Sequence, residues 1–486
     1  MIIIIALVLY ILFGTFIAMA SRKHLIKGDP SDYFIASGRL SGFISAMTYA
    51  ATTYSAFMMV GLVGLAYATG VGALGFELVY FVGTLFLLSI LAPRAWKLSR
   101  EKGFITPSGM LGILNESRTL SLTVALISLI ALIPYSSIQL IGVAKLFEGM
   151  MNIPNAYLIG LIIASGLTIA WSIVGGLRGI AWTDAFQGMI MITTSIFLLL
   201  WCITWGFGNI DNFVVKTSHI LSKLELDRVP NWYWNVNVFL AYTIPWFFFA
   251  VTNPQVVQRL YIPKDTKALK QMIIYFALFG LLYTIIVTLL GISIRVLAEE
   301  GIIERIDPLN KSLWNLVTPK FLNYPPPIIS IPVIIGIISA AITTIDSIIL
   351  TLSSMIVKDV VLQFKPHLYR SAEVKVGQIL VLIFTMLLMF FGYFKPTFIV
   401  DLAVLSSTLL LSLAPITIGS LLFSRKPSKI FALTSTLMGI LIVSIAEFLK
   451  AVLHINIARY IPIPLIIILI SATLYIIGLA MGRERT

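Results

Sequence analysis

The stretch Pro332–Lys358 reads PVIIGIISAAITTIDSIILTLSSMIVK, an apolar run with Ser339, Thr343, Thr344, Asp346 and Ser347 at its middle. Its length suffices to cross a bilayer, which takes about 20 residues. Residues three and four apart share a helix face. Ala340, Thr343, Thr344, Ser347, Thr351 and Ser354 therefore form a small-residue and hydroxyl stripe, with the Asp346 carboxylate beside it. A carboxylate at membrane depth costs roughly 2.5–3.5 kcal/mol on insertion scales and marks a functional site by default. Hard cations take oxygen ligands, which Ser, Thr and Asp supply. The chemistry such a stripe offers is a sodium site. The plainer alternative is that the hydroxyls bond back to their own helix or fasten it to a neighbour.

The elements that must hold this stripe are membrane helices. Of 486 residues 59% are hydrophobic and 11% charged, whereas soluble domains average about 25% charged. The apolar segments are too long for barrel strands, so the fold class is an all-α polytopic membrane protein in the lipid bilayer. About thirteen spans are expected, among them 2–20, 42–69, 182–207, 234–258, 327–357 and 461–481. The first is expected to be a retained span, since no basic region precedes it. The net charge of +13 does not point to nucleic acid. Its Lys and Arg residues cluster in alternate loops, including 97–119, 259–269 and 358–373. With thirteen spans these loops share one side, the cytoplasm by the positive-inside rule. That places the N-terminus outside and the C-terminus inside a plasma membrane. A single cysteine, Cys202, precludes a disulfide within the chain and a thiol-built transition-metal site.

Two spans are interrupted. The second passes through Ala51, Thr52, Thr53 and Ser55 to Gly61 and Gly64, and the seventh contains Pro245 and Asn253-Pro254. Broken spans persist only where their freed backbone groups are buried in protein or line a cavity. Interrupted spans at corresponding positions point to inverted repeats around a central substrate site. Pro- and Gly-mediated packing is the plainer alternative.

At this point the chain resembles the sodium/solute symporter family, which includes sodium-coupled transporters of proline, pantothenate, monocarboxylates, sugars and sialic acid. Asp32-Tyr33-Phe34 with Arg39 resembles the family's lead-in to the second span. Gly175-Gly176 followed by Trp182-Thr183-Asp184 and Gln187 resembles the turn into the sixth, and Gln258-Arg259 with Lys264-Asp265 resembles the loop after the seventh. The run Ala340–Ser347 resembles the ninth-span motif. The resemblance implies a LeuT-type five-plus-five inverted repeat, with one extra N-terminal helix and two extra C-terminal ones. Residues 1–41 are then a peripheral first span, 42–207 and 234–423 the two repeats, and 429–486 peripheral C-terminal spans.

The resemblance further implies that sodium is bound by the carbonyls of Ala51, Tyr54 and Ala340 with the hydroxyls of Thr343 and Thr344. Asp184, Asp346 and Ser347 are implied to assist ion coupling or to hold a second cation. From its position alone, Asp184 is otherwise a cap of the sixth helix. A substrate cavity is expected from Thr53, Ser55, Phe57 and Met58, with Glu77, Gln139, Trp246 and Phe249. Thr53 and Phe57 depart from the Asp and Trp of proline-type members, so that subgroup's chemistry does not transfer directly. Glu77 either meets an amine or lines an outer vestibule.

The expectation is a sodium-coupled symporter working by alternating access on a small organic solute, with an amino acid or monocarboxylate favoured. A monomer suffices for transport, with oligomers open. The alternatives are proton coupling on the same fold through Asp184 and Asp346, or a sugar or pantothenate substrate. An enzyme is not expected, because no nucleophile–base pair, His cluster or cofactor motif is present. A sensor with an appended signalling domain and a channel with a repeated pore loop are not expected either.

Overall fold

In the computed structural model, residues 2–484 are described except 24, 25, 27, 152, 395–398, 456, 458 and 459. Nearly all of them are helical. A two-stranded antiparallel ladder joins Arg425–Lys426 to Arg483–Glu484 at the Lys/Arg-rich face, and a single parallel bridge links Leu40 to Pro263.

Among the described residues nine helices are long and apolar enough to cross a bilayer, or eleven if each of two bent pairs is one span. The bent pairs are Gly42–Thr53 with Phe57–Thr69, at 46°, and Ile399–Leu410 with Leu413–Leu422, at 52°. In the thirteen-span numbering these are the second and eleventh. The first and seventh correspond to the shorter apolar helices Ile5–Ser21 and Val236–Phe247. The seventh continues beyond Phe248 as the short helices Phe249–Thr252 and Pro254–Gln258. The third is Val71–Lys102, the fourth Arg118–Met150, the eighth Thr266–Glu299, and the ninth Pro327–Met355. The fifth and sixth, Ala156–Ile173 and Gly175–Phe207, meet at a sharp turn.

That turn requires glycine. Gly176 has φ +51°, and a Cβ there would lie 2.8 Å from the Tyr33 carbonyl oxygen. The short segment before the second span is docked onto it. Asp32, fully buried, accepts from Arg178 Nη2 at 2.8 Å and from the Ile26 amide at 2.8 Å. The Tyr33 hydroxyl donates to the Ser172 carbonyl at 3.2 Å. Two family motifs distant in sequence are thus one structural joint, and Asp265 of a third caps the eighth span through the Ala268 amide at 2.7 Å.

The ninth span packs most extensively on the fifth and sixth, and the second span on the eighth and sixth. The second and ninth also meet directly. At mid-length the second span stops being helical. Tyr54 ends the first half in an extended conformation, with φ −96° and ψ +101°, and the chain resumes through a wide π-type turn at Phe57–Leu62. The freed amides are met locally. The Ala56 amide donates to Gln139 Oε1 at 3.1 Å, and the Phe57 amide donates to Ser55 Oγ at 3.1 Å.

The second half of this span, Phe57–Thr69, is wedged in by close backbone approach. A Cβ on Gly64 would lie 2.1 Å from the Trp314 carbonyl oxygen, whereas Gly166 has nothing within 4 Å. Overpacking of this kind costs about 1–3 kcal/mol. Gly64→Ala is therefore expected to lower the melting temperature in detergent, while Gly166→Ala leaves it unchanged or raises it slightly.

Candidate ion and solute sites

Four oxygens converge where the second span breaks against the ninth. Thr343 Oγ1 donates to the Ala51 carbonyl at 3.0 Å and Thr344 Oγ1 to the same carbonyl at 2.9 Å. Thr343 Oγ1 also lies 3.1 Å from the Ala340 carbonyl. All four residues are fully buried. The Thr343–Ala340 contact serves the hydroxyl's own helix and the two contacts to the Ala51 carbonyl fasten the ninth span to the second, so the plainer alternative is also met by this geometry. Tyr54 sits at the break itself, where its amide donates to the Ala50 carbonyl at 2.7 Å and the helix ladder ends. The donor set is all oxygen, part hydroxyl and part backbone, which suits a hard monovalent cation.

Beneath this group lies a buried polar chain. Thr48 Oγ1 donates to Asp184 Oδ2 at 2.6 Å, and Arg259 Nε donates to Thr48 Oγ1 at 3.3 Å. Arg259 Nη2 donates to Ser347 Oγ at 2.6 Å, and Ser347 Oγ shares a 2.8 Å hydrogen bond with Thr52 Oγ1. Arg259 is 0% exposed, a guanidinium fully inside the protein. Asp184 therefore has a cationic partner and lies well within its helix rather than capping it. Asp346 has a different setting, against Thr168 and Ser172 of the fifth span. Ser347 and Asp184 belong to the Arg259 chain, and Asp346, outside those hydrogen bonds, is still within electrostatic reach of Asp184. Arg259 was legible only as half of a Gln-Arg motif, since an Arg next to a basic loop reads as interfacial.

Gln258 holds the same closure. Its Nε2 donates to the Ile105 carbonyl at 2.9 Å and to Ser354 Oγ at 3.0 Å, and Thr351 Oγ1 donates to its Oε1 at 2.6 Å. The end of the seventh span is thus bolted to the ninth and to the loop after the third.

On the other side of the break is an aromatic chamber. Phe57 and Trp246 rings lie 4.8 Å apart, Tyr80 and Trp246 4.9 Å, and Trp246 and Phe249 5.4 Å. Thr53, Ser55, Phe57, Met58, Glu77, Gln139, Trp246 and Phe249 are all buried. They do different work. Thr53 Oγ1 donates back to the Tyr49 carbonyl at 2.6 Å, while Ser55 and Gln139 are occupied by the freed amides of the break. Both carboxylate oxygens of Glu77, the Trp246 indole nitrogen and the Tyr54, Tyr80 and Tyr135 hydroxyls have no hydrogen-bond partner. Buried polar groups are nearly always satisfied, which makes these atoms candidates for contact with a ligand, as are Asp184 Oδ1, Arg259 Nη1 and the Gln255 amide elsewhere in the bundle. The chamber is shut on the far side as well. Lys311 Nζ pairs with Asp401 at 2.9 Å, Tyr242 donates to Asp401 Oδ1 at 2.6 Å, and the Tyr233 and Tyr242 hydroxyls are 2.7 Å apart.

A bundle with spans broken at mid-depth around oxygen-lined and aromatic pockets defines a secondary transporter of LeuT type. A Na+-coupled sialic acid symporter in a substrate-bound, outward-open state superposes over 100% of this chain and 99% of its own, with TM-score 0.81 and 16% identity. Mhp1, a nucleobase-cation-symport-1 family transporter, covers 94% of this chain and 96% of its own at TM-score 0.53 and 12% identity. At such identities the likeness is one of fold. The sequence matches the sodium:solute symporter family over residues 33–439, and the chain belongs to that family. A sodium/pantothenate symporter of Haemophilus influenzae is 28% identical over 403 residues, 82% of this chain and 80% of the relative. That of Escherichia coli is 26% identical over 74% of this chain and 71% of the relative, and a sodium/proline symporter 2 of Staphylococcus saprophyticus is 23% identical over 73% and 67%. The protein is thus a multi-pass membrane transporter that couples to sodium, and it is not an enzyme.

Arg259 and Asp184 are opposite buried charges bridged by the Thr48 hydroxyl rather than in direct contact, and removing one leaves the other uncompensated, at a cost of up to about 3–5 kcal/mol, the value for a direct buried pair. Arg259→Ala is expected to lower the melting temperature sharply, and Asp184→Asn added to it to recover part of the loss. The four-protein thermal cycle reads the coupling; additive effects would mean the two do not interact.

Proposed function

We propose that the chain imports a small organic solute together with sodium, and that the ion is held by the carbonyls of Ala51, Tyr54 and Ala340 with the hydroxyls of Thr343 and Thr344. The observation that carries this reading is the pair of threonine hydroxyls converging on the Ala51 carbonyl one turn before the second span breaks. An ion there ties the second span to the ninth and favours the state open to the outside. Solute binding in the aromatic chamber permits closure. Loss of sodium on the inner side loosens the same contact, and both leave. Asp184 and Ser347 act as coupling elements through Arg259 on the ion's inward path; a second cation at Asp184 would have to displace that guanidinium. Asp346, beside the fifth span and within electrostatic reach of Asp184, flanks that path and assists the same coupling.

The Lys/Arg-rich face is taken as cytoplasmic, with the N-terminus outside, the C-terminus inside, and the plasma membrane as the location. The repeats are 42–207 and 234–423, flanked by peripheral segments, and a monomer is sufficient for transport. The energetics suffice. One charge falling through 100 mV yields about 2.3 kcal/mol, and a tenfold sodium gradient adds about 1.4 kcal/mol. At one-to-one coupling this supports roughly 500-fold accumulation of a neutral solute, using the same factor-of-ten constant.

The chamber favours an amino acid over a monocarboxylate. It contains the uncompensated carboxylate of Glu77, and none of its lining residues is Lys or Arg. An ammonium group facing Glu77 and the Trp246 and Tyr80 rings would be met by charge and by cation–π contact. Pantothenate is the second reading, supported by the two relatives with that specificity that align over most of the chain.

In proteoliposomes, Thr343→Ala with Thr344→Ala is expected to weaken sodium activation of uptake at least tenfold; uphill transport at unchanged sodium affinity would overturn the ion site. Uptake of labelled proline, other amino acids, short monocarboxylates and pantothenate then identifies the solute. Glu77→Gln is expected to depress uptake of an amine-bearing solute at least tenfold. If the solute is instead a simple carboxylate, the same substitution raises its affinity.

A further inference from the structure

The third and eighth spans run antiparallel, and their ends at the Lys/Arg-rich face frame a groove of about 520 Å³ open to the bilayer. Ser89, Pro93, Trp96 and Lys97 line one wall, at the spacing of a single helix face, and Thr266, Leu269, Lys270, Ile273 and Ile274 line the other at the same spacing. The groove is divided by chemistry along its length. Its deep part is apolar, and Ile274 there is 46% exposed, so it faces lipid rather than protein. Its mouth carries Lys97 and Lys270 from opposite walls, and none of the lining residues is acidic. Lys270 makes no ion pair among the described residues. Lys97 has a single 3.9 Å contact with Glu101 between two exposed side chains, a kind of pair worth little in water. The nine residues from Ser89 to Lys97 rise about 12 Å along the helix, the depth of the upper part of an acyl chain.

We propose that this groove is a binding site for one anionic glycerophospholipid of the leaflet on the Lys/Arg-rich side. The phosphate sits between Lys97 and Lys270, and an acyl chain lies along Pro93, Leu269, Ile273 and Ile274. The occupant follows from charge complementarity. Two ammonium groups above an apolar slot suit a headgroup of net negative charge, and basic pockets between spans on this face recognise such headgroups. A zwitterionic choline headgroup would bring its own cation to the same two lysines.

The site adjoins the closure described above. Trp96 Nε1 donates to the Pro263 carbonyl at 2.8 Å, and Arg100, one turn further on, donates to that carbonyl at 2.6 Å and to the Gly38 carbonyl. Pro263 lies in the loop that follows Arg259 and pairs with Leu40, where the Leu40 amide donates to the Ile262 carbonyl at 3.0 Å and the Lys264 amide to the Leu40 carbonyl at 2.9 Å. A lipid that fills the groove buttresses the Trp96 wall and with it the closed arrangement on this face.

The test compares purified full-length wild type with Lys97→Gln/Lys270→Gln, with Lys97→Arg/Lys270→Arg, and with a control, Lys365→Gln/Lys429→Gln, on the same face. Delipidated protein is titrated with phosphatidylglycerol, phosphatidylcholine or inorganic phosphate, and bound lipid is counted by native mass spectrometry alongside the melting temperature. The expected result is one phosphatidylglycerol retained by wild type, the arginine pair and the control. The glutamine pair should bind it at least tenfold more weakly and lose its thermal shift. Equal retention by the glutamine pair, equal affinity for phosphatidylcholine, or the full shift from inorganic phosphate alone would overturn the proposal.

Discussion

The arrangement depends on one constraint: a helix interrupted inside a membrane must have its stranded backbone groups satisfied by something. At the break in the second span the protein meets this with side chains from three directions. Gln139 and Ser55 take the freed amides, while Thr343 and Thr344 both address the Ala51 carbonyl. Because two hydroxyls share one acceptor, the carbonyl cluster is held in place and yet open to a better electrophile. In the proposed ion site a small cation would take over those oxygens without any new residue being recruited.

Around that constraint the molecule holds buried polar groups of two kinds. Toward the Lys/Arg-rich face the Asp184–Thr48–Arg259–Ser347 chain and the three hydrogen bonds of the Gln258 amide tie the second, sixth, seventh and ninth spans together, although Asp184 Oδ1, Arg259 Nη1 and the Gln255 amide have no partner. Across the break, the Glu77 carboxylate and several tyrosine hydroxyls have none either. Such deficits need a ligand or water to complete the set, and they occur on both sides of the break, along the Arg259 chain as well as in the aromatic cluster.

Much of this was readable in the residues. Thr343 and Thr344 were legible because hydroxyls at helical spacing in an apolar span have few other uses, and the second break was legible because Gly and small polar residues interrupt it. Glu77 was legible as a charge where charge is costly. Other features depend on placement that spacing does not encode. Arg259 follows the end of an apolar segment and precedes a basic loop; only the short turn at Pro254–Gln258 swings it inward. Thr53, Ser55 and Gln139 were identifiable as polar residues near the cavity, but the backbone they serve could be seen only once the break had a geometry. The bend in the eleventh span lies between Leu410 and Leu413, where nothing but Ser412 and the nearby Pro415 hints at a weak point.

The two seals of the chamber are built from unlike materials. One consists of fully enclosed groups. The other rests partly on Lys311 and Asp401, whose side chains are 40% and 41% accessible to water. Mobile ions screen charges of the second kind over about 8 Å at physiological ionic strength and scarcely touch the first. The electrolyte that supplies the driving ion therefore weakens the Lys311–Asp401 contact and leaves the enclosed Arg259 chain nearly untouched.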